Sequence, residues 1–255
     1  MAAPDLRSLG MALMLLGFVR AAALDLQITG DALHADRVEL LGLDFTDLVA
    51  EPQLAAGRLR FANLAATAYG GTVRGRLDVA TADGSLDLEL TLADIDLAVF
   101  LGRYSGIHGL GGRISGQLTV KVPQAQWPRA TGEGRLRLSQ GSVVTAPALA
   151  AMILGSPGRV SGEDVGSAAF IIRNGDLVFR HLAVEDDSFR IIGKGRIHAD
   201  GRLGLTISPF AKLEQLSSVP LLEPARYLLS SLSGRAARFD VAGHLSDPRI
   251  ELAPF

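Results

Sequence analysis

Cysteine is absent from the 255 residues. Its absence removes a disulfide framework, a thiolate nucleophile and any Cys-based zinc site. Aromatic residues are scarce, at 10 Phe, 3 Tyr and 1 Trp, too few for the two aromatic girdles of a membrane barrel. No sign of charge dominates: 25 Lys+Arg against 27 Asp+Glu give a formal net charge of −2. The basic footprint of a nucleic-acid binder is therefore missing. Lysine itself occurs only at Lys121, Lys194 and Lys212, and arginine supplies the other basic residues.

Long apolar runs are also lacking. The one extended run, LGMALMLLGFV at 9–19, is ended by Arg20, whereas a bilayer-crossing helix needs about 20 apolar residues. The run suits the h-region of a signal peptide, with Ala21-Ala22-Ala23 as an A-x-A-like cleavage site. Asp5 beside Arg7 weakens the positive n-region. Residues 1–23 thus read either as a signal peptide or as a short apolar helix capping one end of the fold.

What the chain does have is glycine, 29 residues of it, in a composition 48% hydrophobic and 20% charged. That is a core-forming balance and not a disordered one. The glycines recur in one pattern: Gly, any residue, Leu or Ile, any residue, then usually an apolar residue. It appears as GRLRF from Gly57, GRLDV from Gly75, GSLDL from Gly84 and GQLTV from Gly116. It returns as GRLRL from Gly134, GDLVF from Gly175, GRIHA from Gly195 and GRLGL from Gly201, with GHLSD from Gly243 as a degenerate copy.

Each copy begins a period-two alternation. Leu86, Leu88, Leu90 and Leu92 fall on one face, Asp87 and Glu89 on the other. Such alternation predicts half-buried antiparallel strands, with glycine supplying a turn or bulge where each strand opens. Asp83-Gly84, Asn174-Gly175 and Asp200-Gly201 are hairpin signals. On the order of 14 strands follow from the spacing.

Three segments have helical spacing instead. Residues 94–104 carry Asp94 or Asp96 as an N-cap, 147–154 start at Pro147, and 211–232 form an amphipathic stretch interrupted by Pro220 and Pro224. The predicted fold class is mainly β: one long antiparallel meander with about three short helices along an edge or end. It occupies residues 24–255 as one domain, with a sub-boundary near 155–164, where GSPGRVSGED gathers Gly, Pro and Ser.

No catalytic constellation stands out. The chain has no G-x-S-x-G elbow, no H-E-x-x-H and no P-loop. GIHGLGGRISG (106–116) lacks G-x-G-x-x-G and leads into a strand, so it reads as a plain loop. None of His34, His108, His181, His198 and His244 is paired at metal-ligand spacing, and His198 and His244 fall on polar strand faces. Glu185-Asp186-Asp187 has the carboxylates for calcium but reads as a charged turn. The expectation is a binding or structural protein without catalytic residues, cofactor or metal.

Several of these segments together resemble a known family. AYGGTVRGRLDV (68–79) resembles a strand pair of the AsmA-like family, within the AsmA/TamB group of bacterial envelope proteins. In the family's order follow DIDLAVFLGRYSGIHGLGGRISGQLTV (94–120), the segment 146–183, SFRIIGKGRIHADGRLGLTISP (188–209) and the ending FDVAGHLSDPRIELAPF (239–255). The resemblance covers nearly all of 24–255 and is to the AsmA-like C-terminal region.

The resemblance implies an elongated, curled antiparallel sheet forming an open β-groove with an apolar interior. It also implies a periplasmic role in envelope biogenesis, larger members being proposed to shuttle phospholipid between inner and outer membranes. Partners would be phospholipid or another acyl-chain lipid, with a membrane surface or envelope proteins alongside, and no nucleic acid. An apolar face that shelters acyl chains gains about 0.8 kcal/mol per CH₂ buried.

The candidate lipid-contact residues lie on the apolar strand faces: Leu77, Val79, Leu86, Leu88, Leu90, Leu118, Val120, Leu136, Leu138, Ile197, Leu203, Leu205 and Ile207. The alternative is an assembly factor for outer-membrane proteins whose apolar face is an ordinary, covered core. An outer-membrane barrel ending at Phe255 and a β-solenoid glycan-acting enzyme fit less well. The barrel lacks aromatic girdles; the solenoid needs parallel coils, not hairpins.

Overall fold

The structure is a computed structural model that describes residues 19–20, 26–29, 32–40, 43–104, 110–142, 164–185, 189–211 and 238–253. These residues form fifteen strands and one α-helix. The strands are β1 (Val19–Arg20), β2 (Leu26–Thr29), β3 (Ala32–Leu40), β4 (Leu43–Ala55), β5 (Arg58–Ala68), β6 (Gly71–Ala80) and β7 (Leu86–Asp96). Helix α1 (Leu97–Tyr104) precedes β8 (Arg113–Val122), and two 3₁₀ turns at Pro123–Ala125 and Trp127–Arg129 lead to β9 (Thr131–Gly141). Then come β10 (Asp164–Arg173), β11 (Asp176–Glu185), β12 (Phe189–Ile197), β13 (Arg202–Ala211), β14 (Phe239–His244) and β15 (Asp247–Leu252).

The fold class is mainly β, an open antiparallel meander. From β3 to β15 each strand pairs with the next in chain order, and β1 and β2 both pair with β3. Of the predicted helix at 94–104, Leu97–Tyr104 forms α1, while 94–96 instead end β7 in strand pairing; Asp96 caps the helix as expected, its Oδ1 accepting from Val99 N–H at 3.1 Å. The predicted helices at 147–154 and 211–232 lie outside the described residues, apart from Ala211, which ends β13. So do the segment 1–18, the cleavage site at 21–23, and nearly all of 155–164.

The chain divides into two compact units. Unit 1 is Met1–Ile95, Ser115–Gly134 and Ile172–Gly175; unit 2 is Asp96–Ile114, Arg135–Ile171 and Asp176–Phe255.

In unit 1 the alternation of β5, β6 and β7 becomes a cross-strand ladder. Leu59, Val79 and Leu86 share one row, and Phe61, Leu77 and Leu88 the next. All are buried. Two bulges shift the register, at Asp47 (φ 52°) on β4 and Asn63 (φ 50°) on β5. Asp and Asn tolerate this left-handed backbone better than other side chains, and bulges bend a strand and raise its twist. Asn63 is further held by donating to Glu51 Oε2 at 2.9 Å.

The glycines serve two purposes, where the sequence pattern suggested one. Gly57, Gly84, Gly175 and Gly201 have positive φ and sit in turns, as predicted. At Asn174-Gly175 both φ values are positive, 54° and 80°, the signature of a type I′ hairpin turn. Gly75, in contrast, lies inside β6, where a Cβ would run into the Glu89 carbonyl oxygen of β7. It opens nothing; it permits close strand approach. At the turns of this unit, Gln124 N–H donates to Ser85 Oγ at 3.0 Å, and the lone tryptophan, Trp127, packs against Gly175.

In unit 2, β11 to β15 form consecutive antiparallel pairs. A bulge between Phe179 and Leu182 shifts β11 against β12. The phase of the last pair is fixed by Ala253 N–H donating to the Arg238 carbonyl at 2.8 Å. Counting back along the register, Pro248, Ile250 and Leu252 turn their backbone groups away from β14. Pro248, which has no N–H to give, thus occupies a position where the ladder needs none.

Candidate functional site

The predicted lipid-contact residues are more deeply buried in unit 1 than in unit 2. In unit 1, Leu77, Val79, Leu86, Leu88, Leu90 and Val120 are buried, Leu86 at 2% exposure and Leu88 at 3%. They form a closed core with Phe45, Leu48, Leu59 and Phe61, and offer almost no surface to a ligand. Leu118 on β8 is half-buried.

In unit 2 the face is less covered. Its rows read Leu177–Ile197–Leu203, then Phe179–Gly195–Leu205–Val241–Ile250, then Leu182–Gly193–Ile207–Phe239. Leu203 and Ile207 are buried, whereas Ile197 and Leu205 are only half-buried, like Leu136 and Leu138 on β9. The sequence reading missed Leu177, Phe179, Leu182, Phe239, Val241 and Ile250, which are also half-buried. Their signal was the same alternation, visible in GDLVF and FDV. Four strand spacings from β11 to β15 cover roughly 19 Å, comparable with one leaflet of a hydrocarbon core about 30 Å thick.

This face carries no charge, so apolar burial is its available chemistry. Glycine shapes it locally. The Cβ position of Gly193 lies 3.1 Å from Ile207 Cγ2 and 3.2 Å from Leu182 Cδ2. Side chains from the two flanking strands therefore meet over β12. At Phe179, ring contact with Phe170 (centroids 5.5 Å apart) continues the apolar surface toward β10.

The opposite faces are not alike either. In unit 1 the strands carry ion pairs: Arg58–Asp87 at 3.1 Å, Arg60–Asp78 at 2.7 Å and Arg76–Glu89 at 2.6 Å. Asp87 and Glu89 are thus engaged by arginine. In unit 2 the alternation fails, because Ala169, Ile171, Val178, Ala183 and Ile192 lie among the charged positions. Continuous apolar stretches such as AAFII of β10 mark strands apolar on both faces.

Among the described residues a dense polar cluster sits at the turns of β11 to β14. Asp176 Oδ2 lies 3.4 Å from Arg196 and 3.3 Å from His198 Nδ1, and its Oδ1 accepts from Ala199 N–H at 3.0 Å. His244 Nε2 lies 2.8 Å from the Asp200 carbonyl and Nδ1 2.9 Å from Ser246 Oγ. A carbonyl only accepts, so Nε2 carries the proton and Nδ1 accepts from Ser246. Serine, histidine and an orienting carbonyl are the parts of a nucleophilic site, but here all three are exposed, His244 and Ser246 in the β14–β15 turn and the Asp200 carbonyl in the β12–β13 turn. A Cβ at Gly201 would sit 2.6 Å from His244 Nε2, so the imidazole packs on the turn and locks it.

Asp200 is held below the usual carboxylate range by the Arg202 side chain and then the Arg202 N–H. Among the described residues no three His, Cys, Asp or Glu converge as a metal site, and no helix is long and apolar enough to cross a membrane. His108, Asp186 and Asp187 lie outside the described residues. Compared with protein-family models, curated proteins and solved structures, the chain matches none.

Proposed function

We propose that this chain is a non-enzymatic protein of bacterial envelope biogenesis, of the AsmA-like kind, that works in the periplasm. The apolar face of β11 to β15 shelters phospholipid acyl chains in passage between membranes. The observation that carries this reading is the set of half-buried rows through Phe179, Leu205, Val241 and Ile250. Such rows retain apolar surface that a hydrocarbon chain can cover, at about 0.8 kcal/mol per CH₂. A charged headgroup finds no partner on this face and stays outside it.

The test is to purify the full chain without detergent and extract it for lipid mass spectrometry. Phospholipid in stoichiometric amount is expected. Protein that yields none, and takes up none from added vesicles, sinks the proposal.

A second reading, an assembly factor whose apolar face is ordinary core, is favoured by the burial of Leu77, Val79, Leu86, Leu88, Leu90 and Val120. Under it, the residues of unit 1 contribute stability alone.

A further inference from the structure

We propose that the other face of the unit 2 sheet docks on the surface of an anionic phospholipid bilayer. The positions that carry this are Arg135, Arg137, Arg180 and Lys194, together with Val165 and Phe210. The two-residue turn at Asn174-Gly175 fixes the pairing of β10 with β11 and sets Ala169 beside Arg180. The Cβ position of Gly166 lies 3.1 Å from Leu138 Cβ and 3.0 Å from the Ala183 carbonyl oxygen. Leu138 and Gly166 are therefore neighbours, and by alternation Arg137 and Arg135 flank Ser167 and Ala169.

Beyond β11, the bulge brings Arg180 next to Lys194, whose register partner is Thr206. A row of cations thus crosses β9, β11 and β12 over the small side chains of β10. All four cations are exposed, and none has an ion-pair or hydrogen-bond partner among the described residues. The acids on β11 to β14 are engaged elsewhere: Asp176 with Arg196 and His198, Glu185 with Arg190, Asp240 with Thr206, and Glu133 on β9, two residues before Arg135, is the acid that shares this face. In unit 1, Arg58, Arg60 and Arg76 are each matched by an acid.

Charge alone would suit any polyanion. The choice of a bilayer comes from Val165 and Phe210, which are 49% and 41% exposed on the same face. Phe210 is the register partner of Arg190. Exposed apolar side chains on the same face as unmatched cations fit the headgroup–acyl boundary, where both find partners.

Flotation of the full chain with vesicles tests this, using phosphatidylcholine alone against an equimolar mixture with phosphatidylglycerol. The mixture should capture the protein and phosphatidylcholine should not, with capture falling as salt rises. Arg135→Gln/Arg180→Gln/Lys194→Gln should weaken capture by on the order of a hundredfold, about fivefold per charge. Phe210→Ser should weaken it several-fold. Arg74→Gln, an exposed arginine of β6 in unit 1, should leave it unchanged. Equal capture by both vesicles, no capture by either, or equal loss in the triple and Arg74 variants overturns the proposal. A change in self-association upon charge removal, without vesicle capture, assigns the face to a second copy of the chain and likewise overturns it. Docking is separate from acyl-chain uptake: the triple variant should keep any extractable lipid, whereas Leu205→Glu should lose it and still float.

Discussion

Asp78 and Asp87 stand directly opposite each other in the pairing of β6 with β7. Each is held by a different arginine of β5: Arg60 Nε donates to Asp78 at 2.7 Å, and an Arg58 N–H donates to Asp87 at 3.1 Å. Like charges opposed across strands repel, and Asp78 is only 8% exposed. Arg60→Ala should therefore destabilise the protein by about 1 kcal/mol, measured by denaturant unfolding. Adding Asp78→Asn should recover most of that loss, because it removes the carboxylate left without its arginine. If the double variant is less stable than the single one, the opposed pair is not what Arg60 relieves.

Two glycines should respond in opposite directions to alanine. Gly75→Ala forces a Cβ against the Glu89 carbonyl oxygen, a backbone atom that cannot step aside. A loss of about 3 kcal/mol is expected, read as a fall in Tm. Gly102→Ala, in α1 with nothing within 4 Å of the new Cβ, should stabilise by up to about 1 kcal/mol.

A charge placed on each apolar face distinguishes core from binding surface. Leu88→Glu buries a carboxylate where the leucine is 3% exposed, and it should unfold unit 1 outright. Leu205→Glu, at a half-buried position, should keep the β-sheet circular dichroism signal while reducing co-purified phospholipid. Unfolding by both substitutions would place Leu205 in ordinary core as well.

Acid should loosen two turns. Asp83 is held below the usual carboxylate range by the Ser85 N–H and then the Ser85 hydroxyl, as Asp200 is by Arg202. A carboxylate whose pKa is lower in the folded than in the unfolded chain stabilises the fold above the unfolded value, about 4. That stabilisation disappears as pH falls through the folded value. An Asp83→Asn/Asp200→Asn variant should thus have a lower Tm than wild type at neutral pH, with the gap closing below about pH 4. A gap of constant size across the titration would assign the effect to lost geometry and not to charge.

Much of the strand layout was legible because its causes are local. Alternation over Leu86–Leu92 and the Asn174-Gly175 pair need only neighbouring residues to declare themselves, and both appear as expected in β7 and the β10–β11 turn. The cap at Asp96 is equally local. The bulges at Asp47 and Asn63 were not legible, since their backbone is set by register between strands rather than by a glycine in the sequence. Nor was the division among the lipid-contact candidates. Leu88 and Leu205 sit in the same motif with the same alternation, yet one is sealed and the other half-open. Cover is supplied by residues distant in sequence, which a repeating local pattern does not encode.

The orientation of Pro248 bears on how this sheet meets other copies of itself. An unpaired strand edge invites another strand through its row of outward N–H and C=O groups. On β15 the outward positions are Pro248, Ile250 and Leu252, and proline leaves a hole in the donor row at its first place. A neighbour could bond at Ile250 and Leu252 but would find no third donor with which to hold register. The ring spoils a sticky margin at no cost to the fold, since the lost N–H was never part of the ladder.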